Sequence, residues 1–141
     1  MAVSALVNGG HLFPPTFLPR SADDALAISK TVIKPDTSEA MRYIMRLNAS
    51  HKLGTASKAN IEGYFVGGKT GTADKSFHGQ YDGKRVLTTF MGIAPADKPR
   101  YLFAVILDEP QAVEGSYGYQ TAGWNAGPVT GNIIERVAPF L

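Results

Sequence analysis

The sequence predicts an α/β sandwich, with antiparallel strands carrying helices on both faces. Three observations predict it. Two runs rich in Val, Thr, Ile, Phe and Leu, at 85–94 and 101–108, are joined by Pro95-Ala96-Asp97-Lys98-Pro99, the pattern of an antiparallel hairpin. Their apolar residues are nearly continuous rather than alternating, as in strands covered on both faces. Helical spacing then appears on either side of them in the chain, after Asp36 and after Pro128. A length of 141 residues suits one domain, and 44% hydrophobic residues against 18% charged exclude a disordered tail.

Taken in order, the apolar piece Ala2–Val7 runs into Asn8-Gly9-Gly10, a helix tail with its glycine stop. It has an end but no capped beginning, so the natural chain is expected to start upstream of Met1. Residues 11–19 read as an extended surface crossing, because Pro14, Pro15 and Pro19 each remove a donor and bias the residue before them. Asp36-Thr37-Ser38-Glu39 has capping-box spacing, and Met41, Ile44, Met45 and Asn48 follow as a core-facing stripe. A strand carrying a Gly-rich box is expected at about 61–73. A polar loop over 73–84 follows it, then the hairpin strands at about 85–94 and 101–108. The chain closes with a helix at about 128–138, whose stripe Val129, Ile133, Val137 and Leu141 should pack on the sheet.

Composition removes several function classes. With 14 basic against 12 acidic residues and a net charge of +2, no basic patch supports a nucleic-acid partner. The absence of cysteine excludes disulfides, thiolate nucleophiles and thiolate metal sites. His11, His51 and His78 have no ligand spacing, so no metal is expected. The longest apolar stretch, 101–107, is too short to span a membrane.

Gly63-Tyr64-Phe65-Val66-Gly67-Gly68-Lys69-Thr70 satisfies the nucleotide-binding pattern G-x-x-x-x-G-K-[ST]. Its context does not. A phosphate cradle needs a strand before it, small residues within it and a helix at the lysine, whereas bulky Tyr64, Phe65 and Val66 fill the loop and no helical pattern follows. Nucleotide binding stays a minor alternative. Read as a strand, the segment places the Thr70 and Thr72 hydroxyls on one face with Lys69 beside them. Two hydroxyls and an ammonium suit a carboxylate or an oxyanion. Gly67, Gly68 and Gly71 mark a strand edge that another group approaches closely, the alternative being a bulged edge with a solvated lysine.

Gly67-Gly68-Lys69-Thr70-Gly71-Thr72-Ala73 resembles the K-T-G box of penicillin-binding proteins and serine β-lactamases. The likeness extends to Ala5-Leu6-Val7-Asn8-Gly9-Gly10, Leu53-Gly54-Thr55-Ala56, Gly63-Tyr64 and the 119–127 segment, which resemble the C-terminal part of a class B peptidoglycan transpeptidase. The Lys69 to Ala73 sequence favours class B, and Asp108-Glu109-Pro110 with the 117–124 segment favours the division-site enzymes over those of elongation. The resemblance implies a penicillin-binding fold and serine acyl transfer without cofactors. It implies that Lys69, Thr70, Gly71 and Thr72 bind the stem-peptide carboxylate or a β-lactam, and that the Thr72 backbone N–H is one oxyanion donor. It also implies division-complex partners, an inner-membrane anchor and a periplasmic catalytic domain for the parent protein.

One departure is central. No serine here is followed by lysine three residues later, and no serine or tyrosine by asparagine two later, so the S-x-x-K nucleophile and the S-x-N relay are expected upstream. The chain alone is then inactive and completes its site with the preceding part of the same domain, its bare apolar surfaces favouring self-association. The alternative is a stand-alone module that holds peptidoglycan carboxylates without chemistry. Among lesser candidates, His78 reads as a solvated loop residue, Tyr117 and Tyr119 as rim-loop anchors able to stack on a glycan, and Asp108 and Glu109 as a turn.

Overall fold

A computed structural model describes residues 1–140, with Phe77, Asp82 and Lys84 described by their backbone alone. The chain divides into two units, Met1–Ile44 and Met45–Leu141, and the division falls inside one long helix.

The first unit begins with helix α1 (Ala2–Val7), which stops where the glycines predict. Gly9 and Gly10 have φ of +93° and +97°, and a Cβ on Gly10 would lie 2.1 Å from the Ile33 carbonyl oxygen, so no other residue fits there. The two-residue strands β1 (His11–Leu12) and β2 (Lys30–Thr31) pair antiparallel. Between them lies helix α2 (Ala22–Ala27), which has no counterpart among the sequence expectations. Ser21 caps it by accepting from the Asp24 N–H, and Asp23 and Asp24 sit in its first turn.

Helix α3 (Pro35–Ser50) starts one residue before the expected capping box, with Pro35 as its first residue, where a missing N–H costs nothing. Ser38 serves α1 instead: its hydroxyl donates to the Leu6 carbonyl at 2.8 Å and accepts from the Gly9 N–H at 3.0 Å. The buried positions of α3 include Ser38, Met45 and Ala49, whereas Ile44, expected in the core, is 54% exposed.

In the second unit, β3 (Gly67–Phe77), β4 (Gln80–Ala94) and β5 (Tyr101–Asp108) form an antiparallel sheet in that order. The box strand, placed by spacing at about 61–73, begins at Gly67 and continues to Phe77. The loop expected over 73–84 is instead a β-hairpin. His78 and Gly79, with φ of +51° and +78°, make its two-residue turn between Phe77 and Gln80. Most described side chains there are exposed, so apolar periodicity carries no trace of the strands.

Helix α4 (Ala126–Val137) packs on the sheet, but not through the stripe its larger residues suggest. Its buried residues are Ala126, Gly127, Thr130, Gly131 and Ile134, while Val129 and Ile133 are 38% and 39% exposed. Leu141 lies outside the described residues. Small residues win because the helix lies close: a Cβ on Gly131 would sit 3.2 Å from the Ala59 Cα, and one on Gly127 3.6 Å from Phe90 Cδ2. Phe90 is fully buried in the core formed with Ala49, Ala56, Ala59, Ala122 and Ala126. The opposite face of the sheet is covered near Ile93, where a Cβ on Gly67 would meet the Arg46 backbone at 3.1 Å. On β5, Leu102, the cross-strand partner of Ile93, and Ile106 stay exposed, so the continuous apolar run of this strand does not mean cover on both sides here.

Candidate functional site

The box lies on β3, the marginal strand of the sheet, whose outer edge has no partner strand among the described residues. Lys69, Thr70, Gly71 and Thr72 stand opposite Met91, Phe90, Thr89 and Thr88 of β4. The box glycines have inward reasons that the sequence alone does not reveal. A Cβ on Gly68 would lie 2.3 Å from Phe90 Cζ, and one on Gly71 2.5 Å from Thr89 Oγ1, so both let β3 lie flat against its own neighbour.

The two threonines share a face, as the strand period requires. Thr70 Oγ1 donates to Thr55 Oγ1 at 2.9 Å, Thr55 Oγ1 donates to Asn48 Oδ1 at 3.3 Å, and Asn48 Nδ2 donates to the Gly68 carbonyl at 2.9 Å. The end of α3, the loop after it and the box are therefore one hydrogen-bonded unit. Thr72 Oγ1 accepts from the Ala122 N–H at 3.1 Å, which leaves its own O–H available to a ligand oxygen. A carboxylate at Thr70 would require that hydroxyl to turn away from Thr55. Lys69 is exposed, and its Nζ donates to the Thr70 carbonyl oxygen.

Thr70 and Thr72 line a cleft of about 520 Å³ whose other walls include Lys52, Thr55, Lys58 and Ala122–Trp124. Lys58 Nζ lies 4.1 Å from the Trp124 ring centroid. Tyr119 stacks on the same ring at 6.1 Å and Tyr117 meets it edge-on at 5.9 Å. The 115–119 segment is thus anchored through Trp124. Sequence reading missed Asn48, Thr55, Lys52 and Lys58. The polar cluster between Asn48 and Lys58 signals a loop, but only the fold brings it beside the box.

The remaining candidates are placed as follows. His11 is in β1, His51 Nδ1 accepts from the Leu53 N–H at 3.2 Å, and His78 forms the hairpin turn. Asp108 and Glu109 do more than turn the chain. Just past the bulge at Asp74/Lys75, Lys75 Nζ meets Asp108 and Glu109 at 2.7 Å each, and Arg85 meets Glu109 at 2.6 Å, so all three strands are tied.

Hydrogen bonds from Lys75, then from Arg85, hold the Glu109 carboxyl below the usual carboxylate range. Bonds to Asp108 and then Glu109 raise the Lys75 ammonium above its usual value. A lowered carboxylate stabilises the fold above its unfolded-state range and loses that effect as the pH falls through its folded value; a raised lysine loses its contribution only as the pH climbs through its own. The acid limb therefore belongs to Glu109. Glu109→Gln is expected to lower the thermal midpoint at neutral pH, and its difference from wild type should shrink as the pH falls below the usual carboxylate range, followed by circular dichroism.

An antiparallel sheet backed by a helix, with a lysine and two threonines on its marginal strand, is the arrangement of penicillin-binding transpeptidase domains. The chain is a member of the penicillin-binding protein transpeptidase domain family, which it matches over residues 1–135. A protein of Caulobacter vibrioides described as a probable peptidoglycan D,D-transpeptidase FtsI is 37% identical over 99% of this chain and 25% of its own length. Stage V sporulation protein D of Bacillus subtilis is 36% identical over 99% of the chain and 22% of its own. The chain thus spans about a quarter of these relatives. The transpeptidase domain of Burkholderia pseudomallei penicillin-binding protein 3 superposes with a TM-score of 0.80 at 30% identity, covering 99% of this chain and 40% of that one. Penicillin-binding protein 3 of Mycobacterium tuberculosis, 27% identical with a TM-score of 0.72, is solved in complex with aztreonam.

Proposed function

We propose that this chain is the box-bearing wall of a division-type peptidoglycan D,D-transpeptidase, which holds the terminal carboxylate of a stem peptide or a β-lactam while an upstream serine performs acyl transfer. The observation that carries this reading is the Thr72 hydroxyl, which accepts from Ala122 and keeps its own O–H to donate, on a strand edge with no partner strand among the described residues and beside Lys69. The strand edge gives an extended ligand backbone groups to pair with, and the lysine supplies positive potential. The Thr72 backbone N–H serves as one oxyanion donor, and the residue bearing the serine supplies the other. The likeness to the Caulobacter protein supports peptidoglycan D,D-transpeptidation, and the division role rests on the Asp108-Glu109-Pro110 and 117–124 segments. With that role go partners in the division complex, an inner-membrane anchor outside this segment and a periplasmic site of action; no helix among the described residues is long and apolar enough to cross a membrane.

Penicillin labelling tests the reading. Benzylpenicillin is expected to leave the mass of the 141-residue chain unchanged. The polypeptide read from the same frame, extended upstream through an S-x-x-K and an S-x-N, should gain one penicilloyl group. In that longer protein Lys69→Ala should slow acylation by about 100-fold. A penicilloyl adduct on the short chain, or none on the long one, overturns the proposal. A stop codon directly before Met1 would instead favour a binding module without chemistry.

A further inference from the structure

Asn48 is not among the residues that line the cleft, yet it ties two of its parts together. Its carboxamide is fixed from both sides by backbone groups of set polarity: Oδ1 accepts from the Thr55 N–H at 3.0 Å, and Nδ2 donates to the Gly68 carbonyl at 2.9 Å. The opposite orientation of the amide would set donor against donor and acceptor against acceptor. Because Oδ1 can only accept, the Thr55 hydroxyl is the donor in their 3.3 Å contact, and Thr55 Oγ1 is left to accept from Thr70 at 2.9 Å. Each hydroxyl has one proton, so Asn48 sets the resting direction of both.

A carboxylate is also an acceptor only, so it needs the Thr70 proton. If the Thr55 proton turns from Asn48 to Thr70 Oγ1, the Thr70 proton is released to the ligand, and the 2.9 Å contact persists with donor and acceptor exchanged. The bond given up is the longest of the set, and Asn48 Oδ1 keeps the Thr55 N–H. Rotation of two O–H bonds is enough. We propose that Asn48 is a positioning residue of the site: through Thr55 it holds the Thr70 hydroxyl at rest and lets it reverse when a carboxylate arrives. The inference rests on the carboxylate reading of Thr70 and Thr72 and deepens it, since it gives Thr70 a route to its ligand.

The test uses the longer polypeptide that carries the S-x-x-K and S-x-N, with benzylpenicillin acylation resolved by stopped flow into a half-saturating concentration and a limiting rate. Thr70→Val should raise the half-saturating concentration about tenfold, as loss of a hydrogen bond to a charged group does. Asn48→Ala and Thr55→Val should each raise it about fivefold and change the limiting rate less than about twofold, while Thr55→Ser, which keeps the hydroxyl, should match wild type. In the Thr70→Val background neither Asn48→Ala nor Thr55→Val should add more than about twofold, because the hydroxyl they act through is gone. A loss that persists in full in that background, or Thr55→Ser as impaired as Thr55→Val, overturns the positioning role and leaves Asn48 a structural tie between α3 and β3. Unchanged acylation in both Thr70→Val and Thr72→Val overturns the carboxylate reading itself. The Thr55 variants leave α3 untouched, so they carry the test even where Asn48→Ala folds poorly.

Discussion

Replacing Phe90 with alanine is expected to lower the unfolding free energy by about 3–5 kcal/mol, as large-to-small changes of a buried aromatic do. Phe90 is fully buried at the centre of β4. The core cluster it belongs to consists otherwise of alanines, with Val105 and Leu107 packed against it, so the buried side chains of the cluster are too short to fill the space it leaves. The loss would be a large fraction of a domain's usual stability of about 5–15 kcal/mol. Urea denaturation followed by circular dichroism measures it; a loss below about 1 kcal/mol would mean that α4 settles onto the sheet and closes the cavity.

The second large effect comes from the other side of the same contact. Gly68→Ala would place a Cβ 2.3 Å from Phe90 Cζ and 2.7 Å from Phe90 Cε1. Since the ring is enclosed, either it or β3 must move, at an expected cost of about 1–3 kcal/mol. The two changes should not add. With Phe90 already alanine, the Cβ at position 68 meets empty space, so most of the cost of Gly68→Ala should vanish in the double variant. Additive losses would show that the strain lies in the backbone, where the Met91 carbonyl oxygen would be 3.2 Å from the new Cβ. The consequence reaches the candidate site, because Lys69 and Thr70 follow directly on the strand that would be displaced.

Local chemistry was legible wherever neighbours in the chain decide it. The glycine stop after α1, the strand at Tyr101–Asp108 and the helix after Pro35 each follow from a cap, a periodicity or a breaker within a few residues. The hairpin from Gly67–Phe77 to Gln80–Ala94 was not legible over its outer half, because exposed strands carry no apolar period and only the positive φ at His78 and Gly79 marks the turn. The inner face of α4 was misplaced because the larger apolar residues, Val129 and Ile133, look more core-like than Gly127 and Gly131. Contact with the sheet is set by how near the helix can lie, and that favours the smaller side chains.

The box itself was readable as Lys69-Thr70-Gly71-Thr72, with its two hydroxyls on one face, from strand geometry alone. Its surroundings were not. Asn48 reaches Gly68 across 20 positions and Thr55 reaches Thr70 across 15, Ala122 reaches Thr72 across 50, and Lys75 reaches Glu109 across 34. The sequence by itself determined the class of the fold, the strand that bears the Lys69 to Thr72 box and the chemistry that two hydroxyls and an ammonium offer, since these depend on residue type and short-range periodicity. Only the tertiary structure decided which hydroxyl keeps its proton for a ligand, which glycines are required by packing and which lysines share the cleft, because hydrogen bonds and excluded volume between distant segments exist only once the chain has folded.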